Sequence, residues 1–342
     1  MEGPLEPLIE RYIARYLPGA EGIRVSGLER IAGGASRETF RLLLDYADRD
    51  GQPVSRRLIL RRDLPSSLLE SERRIEFGAY RAFLDTPVPV PEMLWLEEDV
   101  SILGHPFFIA EEISGFTADP AEFFTADYDH LRGTIGARKW EMLGQVAAQD
   151  PERIGYHALF DPPALEDVWR IQLDYWEGVL DEDAIRVEPI LRAMIRWMRR
   201  NPPPPPAKLS VVHGDFRSGN FLYDREGGIR ALLDWEMTHL GDPLEDLGWS
   251  FNRIWCFEKN ELRGGLLHRD DAIAAWERGS GMKVDPQALH WWEMLASVKG
   301  QGLWVSAGNN AIHGGSREMI HFGTAWNVMN SQDRAVLELM GR

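Results

Sequence analysis

A chain of 342 residues is long enough to build two substantial cores, and 54 acidic against 38 basic side chains leave a formal charge of −16, which excludes non-specific nucleic-acid binding as the main role. The single cysteine, Cys256, excludes an intrachain disulfide framework and fits a reducing compartment. Glu2, Glu6 and Glu10 stand where a basic and then apolar leader would begin, and no stretch is apolar enough to span a bilayer, so the expectation is a cytoplasmic protein without a membrane partner.

In chain order, Ile31 to Phe40 is a glycine-bearing turn, with Gly33, Gly34 and Ser36, that leads into the alternating segment Phe40 to Tyr46. Arg56 to Arg62 reads as a strand with an apolar centre and basic ends. Ile75, Ala79, Ala82 and Phe83 recur at helical steps within Glu70 to Leu84. A proline-rich turn, Pro87 to Pro91, then leads to two strands, Met93 to Leu96 and Phe107 to Ile113. Helical periods follow over 128–150, 165–178 and 188–200, the last ended by Asn201 and the prolines 202–206.

The next segment carries chemistry. Leu209 to Val212 reads as a strand that delivers His213, Gly214 and Asp215 into a loop, and Phe221 to Tyr223 with Ile229 to Leu233 reads as a hairpin turning at Asp224 to Gly228. Antiparallel pairing brings its two ends, Asn220 and Asp234, back together. Phosphoryl transfer needs an oriented hydroxyl, a proton acceptor and a divalent metal between phosphates. Asp215 is a candidate base, and Asn220 and Asp234 offer the hard oxygens that Mg2+ prefers. Arg217 either steadies the transferred group or pairs with a neighbouring acid, and Glu236 either helps to orient metal or water or binds Arg217. His213 is expected to hold the loop by hydrogen bonding rather than to catalyse. Asp242 and Asp246 are expected to cap a helix starting near Pro243 and to tie down backbone N–H groups. Helices are predicted over 244–258, 269–278, 286–306 and 315–329. Their tryptophans are mostly core, with Trp249 and Trp304 as candidates for an acceptor wall. The dispersed histidines lack a zinc spacing.

Together, His213-Gly214-Asp215, Asn220, Asp234-Trp235-Glu236, Gly241-Asp242-Pro243 and Asp246-Leu247-Gly248 closely resemble the aminoglycoside phosphotransferase-like branch of the protein-kinase-like fold, over residues 25–330. The members most similar are the kinase-like domains attached to some acyl-CoA dehydrogenases. The resemblance implies an α+β, bilobal fold, with a small β-rich N-terminal lobe including the hinge (1–113) and a larger, mainly helical C-terminal lobe (114–342). It implies Asp215 as catalytic Asp, and Asn220 and Asp234 as Mg2+ ligands. Gly33, Gly34 and Ser36 would cover the ATP phosphates, and Arg61 would contact them in the place where protein kinases carry Lys. Glu76, in preference to Glu72, would hold Arg61, and the backbone of Glu111 to Ile113 would recognise adenine.

The resulting expectation is an ATP- and Mg2+-dependent enzyme that phosphorylates a hydroxyl of a small molecule, a hydroxylated metabolite or hydroxyacyl compound. A MgATP sensor without turnover and an aminoglycoside-type phosphotransferase are the alternatives. Metal-dependent hydrolysis without a nucleotide ranks lower, because it leaves Gly33, Gly34, Arg61 and Glu76 without a joint purpose.

Overall fold

The structure, a computed structural model, describes residues 4–31, 37–63, 73–256, 261–313, 323 and 329–341. The chain is α+β and bilobal, dividing into two compact units: residues 1–81 with 91–114, and residues 82–90 with 115–342. The end of the second helix and the proline turn after it therefore group with the second unit rather than the first.

The first unit opens with α1 (Glu6–Ile13), a short helix that the sequence reading did not single out. A five-stranded antiparallel sheet follows, built from β1 (Glu21–Ile31), β2 (Arg37–Ala47), β3 (Pro53–Asp63), β4 (Met93–Glu97) and β5 (Phe107–Glu111) in the order β1-β2-β3-β5-β4. Successive strand residues point to opposite faces, so sequence parity decides what each side chain meets. Leu42, Leu44, Leu58, Leu60, Phe107 and Ile109 share one face and bury against Ile9, Tyr12 and Ile13 of α1 and Leu103 of α3 (Val100–Leu103). Arg61 and Phe108 consequently face the other way. There Phe77 and Tyr80 of α2 (Arg73–Phe83) meet the Phe108 ring at 6.2 and 6.3 Å.

The second unit is helical around α4 (Arg132–Ala148), α5 (Val168–Glu182), α6 (Pro189–Arg200), α7 (Glu245–Ser250), α8 (Arg269–Ser280), α9 (Pro286–Ile312) and α10 (Met329–Leu339). Two small antiparallel ladders are set among them: β6 (Ser210–Val212) with β9 (His239–Gly241), and β7 (Phe221–Tyr223) with β8 (Ile229–Leu232). Asp285 caps α9 by accepting the Gln287 and Ala288 N–H groups, and Pro286 occupies its first turn. Buried residues lie all around this helix, as expected of an element enclosed by others rather than laid on a surface.

Several expected helices change length. The 286–306 helix runs on to Ile312, and the one expected from Tyr128 starts at Arg132, because Tyr128 closes a tighter turn over Ala126–Tyr128. The helix expected over 244–258 breaks after Ser250. Asn252 accepts the Ile254 N–H through its own side chain (3.2 Å) and donates to Ala296 O (3.0 Å), which replaces helical bonding by a short turn at Arg253–Cys256. Residues 257–258 and most of the helix expected over 315–329 lie outside the described residues.

Helices α4 and α8 meet without side chains between them. A Cβ on Gly144 would stand 2.3 Å from Trp276 O, and one on Gly279 would stand 2.0 Å from Glu141 O. Gly144→Ala is therefore expected to lower stability by about 2–3 kcal/mol through overpacking, read as a fall in the urea midpoint without a change in slope.

Candidate active site

Strand β6 is buried and pairs with β9, with Val212 opposite His239. Beyond that last pair the backbone turns, and Gly214 makes the turn with φ +87°. A Cβ there would lie 2.2 Å from Met237 O, so both the backbone conformation and the available space require glycine. The two N–H groups at the turn have left the ladder and still need acceptors. Asp246 supplies both: Oδ2 accepts from His213 N–H (2.6 Å) and Oδ1 from Gly214 N–H (2.9 Å). Asp246 lies inside α7 and ties down two backbone N–H groups, as expected, but they belong to the loop and it does not cap its own helix. Asp242 does make the turn into α7, accepting the Leu244 N–H at 2.8 Å. The Lys299 ammonium donates to Gly214 O and lies 4.9 Å from the Trp249 ring centroid.

His213 braces the same loop from within. Its Nδ1 accepts the Asp215 N–H (3.2 Å), so Nε2 carries the proton and donates to Leu233 O (2.8 Å). Burial lowers its pKa despite nearby Asp246 and Asp215, which keeps the neutral form that this bonding requires. The positioning role expected for His213 matches this geometry.

Asp215 is held at both carboxylate oxygens. Oδ1 accepts from Trp249 Nε1 (2.9 Å), and Oδ2 accepts from Asn220 Nδ2 (2.7 Å) and Arg217 Nε (3.1 Å). Asn220 uses its second N–H on Asp215 O (2.9 Å), and among the described residues no donor engages its Oδ1. Across the hairpin, the Leu233 N–H donates to Asn220 O (2.8 Å), which sets Asp234 beside Asn220 as the antiparallel reading expected. Asp234 has φ +68°, a left-handed conformation found at no other non-glycine residue among those described. Such a conformation is tolerated by Asp and concentrates at functional sites. Burial opposes the charge on Arg217, but Asp215, Asp234 and Glu236 outweigh it and push its pKa up. Arg217 also lies over the Trp255 ring, 5.1 Å from its centroid.

Among the described residues no group of three or more His, Cys, Asp and Glu is arranged to hold a metal. One carboxamide oxygen and one carboxylate do fit Mg2+, which keeps waters and phosphate oxygens as its remaining ligands.

In the first unit, Arg61 Nη1 donates to Glu76 Oε1 (2.6 Å), and Arg73 Nη1 donates to Glu76 Oε2 (2.9 Å). Glu76 is fully buried, and two guanidinium groups offset the cost of burying its charge. Arg73, which also pairs with Asp63, was missed in the sequence, although its i,i+3 spacing to Glu76 was visible. Arg62 bonds instead to Glu38 and Leu103 O on the core face. At the expected hinge the Glu111 N–H is bonded to Glu92 O (2.9 Å) and the Glu112 N–H to Arg57 O (3.0 Å), leaving the Ile113 N–H without a backbone acceptor among the described residues. Gly33, Gly34 and Ser36 lie outside the described residues.

Residues 27–282 match the model of the phosphotransferase enzyme family. The chain belongs to this family. The chicken (Gallus gallus) protein acyl-CoA dehydrogenase family member 11 is 28% identical over 314 residues, covering 86% of this chain and 38% of that protein. Its human counterpart is 25% identical over 283 residues, covering 79% and 34%. The chain thus spans little more than a third of the length of these relatives. Among solved structures, a Ralstonia eutropha protein classed with the aminoglycoside phosphotransferases superposes with a TM-score of 0.76 at 19% identity, covering 98% of both chains. Macrolide 2′-phosphotransferase type I superposes with a TM-score of 0.60 at 17% identity, covering 93% and 95%. The fold is the aminoglycoside phosphotransferase-like form of the protein-kinase-like fold, and the family is one of phosphotransferase enzymes.

Lys139 was not recognised from sequence, because nothing in its helical neighbourhood marks it as buried. It is fully buried beside the His213–Asn220 loop, with Nζ 3.3 Å from Ser218 Oγ and aromatic rings of Trp140, Phe216 and Phe221 around it. Burial lowers its pKa from 10.5 to about 7. Between those values the unfolded chain holds a proton that the folded chain has released, so stability rises with pH through the window and the penalty is complete below it. Lys139→Met is expected to raise the urea midpoint at pH 6 and to flatten its rise between pH 6 and pH 9.

Proposed function

We propose that the chain transfers the γ-phosphoryl group of ATP to a hydroxyl of a small metabolite. Asp215 orients that hydroxyl and accepts its proton, while Asn220 Oδ1 and Asp234 hold Mg2+. When bound, the metal neutralises charge between the phosphates. Arg61, fixed by buried Glu76, and Arg217, fixed by Asp215, meet the phosphate oxygens. The Glu111 to Ile113 backbone contacts adenine, with the Ile113 N–H as donor.

The observation that carries this reading is the division of labour at the Asn220 amide. Both of its N–H bonds are committed to Asp215, and its one remaining oxygen is the kind of ligand Mg2+ takes. As to the acceptor, the relatives that carry acyl-CoA dehydrogenase in their names support a hydroxyacyl compound over an aminoglycoside.

The test is Mg2+-dependent ADP formation across a panel of hydroxyacyl compounds, amino alcohols and aminoglycosides. Turnover is expected with a hydroxyacyl acceptor. Asp215→Asn should keep MgATP binding while losing about 10²–10⁴-fold in transfer, and Asp234→Ala should lose MgATP binding itself. Undiminished transfer by Asp215→Asn overturns the base assignment, and turnover confined to aminoglycosides reassigns the acceptor.

A further inference from the structure

A carboxylate has about four in-plane lone-pair sites, two on each oxygen. On Asp215 the two sites of Oδ2 are filled by Asn220 Nδ2 at 2.7 Å and Arg217 Nε at 3.1 Å. Among the described residues Oδ1 receives only Trp249 Nε1, at 2.9 Å, which leaves one of its two sites for a further donor. We infer that Trp249 is a positioning residue for the transfer, and that Oδ1 of Asp215, the oxygen it holds, is the one that takes the proton of the acceptor hydroxyl. The inference rests on the base role proposed above for Asp215.

Trp249 suits this work because it cannot move and cannot compete. It is almost wholly buried on α7, three residues after the Asp246 that anchors the loop. Lys299 lies 4.9 Å from its ring centroid, and Trp255 packs edge-on at 5.3 Å. Trp255 in turn lies under Arg217 at 5.1 Å, so one indole braces both side groups that flank the carboxylate. An indole N–H only donates, so it can neither accept the proton meant for Asp215 nor add a full charge beside it. The acceptor hydroxyl proton passes to Oδ1 as the acceptor oxygen forms its bond to the γ-phosphorus; the bond from that phosphorus to the β,γ-bridging oxygen breaks, and its electron pair leaves with ADP. Trp249 was singled out from sequence as a possible acceptor wall. Its burial and its bond to Asp215 place it behind the carboxylate instead.

Trp249→Phe removes the N–H and keeps an aromatic ring. Replacement of Trp249 by 3-benzothienylalanine keeps the bicyclic shape as well, and serves if the Phe variant fails to fold. Either is expected to lower kcat about ten- to hundredfold, the scale of one hydrogen bond to a charged group, and to leave KM for MgATP unchanged. Trp255→Phe, which removes the brace and not the donor, should lower kcat less than either Trp249 variant. An unchanged kcat in both Trp249 variants, with Asp215→Asn inactive, overturns the role of Trp249 alone. Full transfer by Asp215→Asn overturns the base reading beneath it.

Discussion

The loop proposed to carry the chemistry depends on one buried carboxylate. Where β6 ends, the N–H groups of His213 and Gly214 have no strand to bond, and each would cost about 1–3 kcal/mol if left buried and unpaired. Asp246 takes both, one on each oxygen. Lys299 lies on the same structure, bonded to Gly214 O and close enough to Asp246 to favour its charge, although burial pushes the Asp246 carboxyl above its ordinary value. The loop is thus held at two successive donors and at the carbonyl that follows them, which fixes the direction in which Asp215 leaves the chain.

From that point the site is a sequence of committed hydrogen bonds. His213 has its tautomer set by the Asp215 N–H and Leu233 O, Asn220 has both amide protons on Asp215, and Arg217 is drawn in by the carboxylates around it. Among the described residues no donor reaches Asn220 Oδ1 and one reaches Asp215 Oδ1, the two atoms proposed to meet metal and acceptor. The first unit repeats the logic with charge: Glu76 is buried between Arg61 and Arg73, so the strand cation has a fixed position instead of a mobile surface one.

Family membership rests on residues 27–282, the span that holds Asp215, Asn220 and Asp234. Two tryptophans brace Asp215 and its neighbour Arg217. Trp249 donates to the carboxylate while Trp255 supports both Trp249 and Arg217, so aromatic bulk orders the charged groups without neutralising them.

The sequence by itself determined strands β2 to β8, the hairpin and the residues of the loop, because alternation, turn glycines and the spacing of Asn220 and Asp234 are local properties that antiparallel geometry converts directly into proximity. The family resemblance marked Arg61 and Glu76. Only the tertiary structure decided what Asp246, Trp249, Lys299 and Lys139 do. Each meets the loop from a helix distant in sequence, Lys299 at a separation of 85 residues and Lys139 at 79. No periodic pattern reports which buried N–H or carbonyl a remote side chain will reach; that follows from how helices pack, and packing is settled by the shapes of many side chains at once.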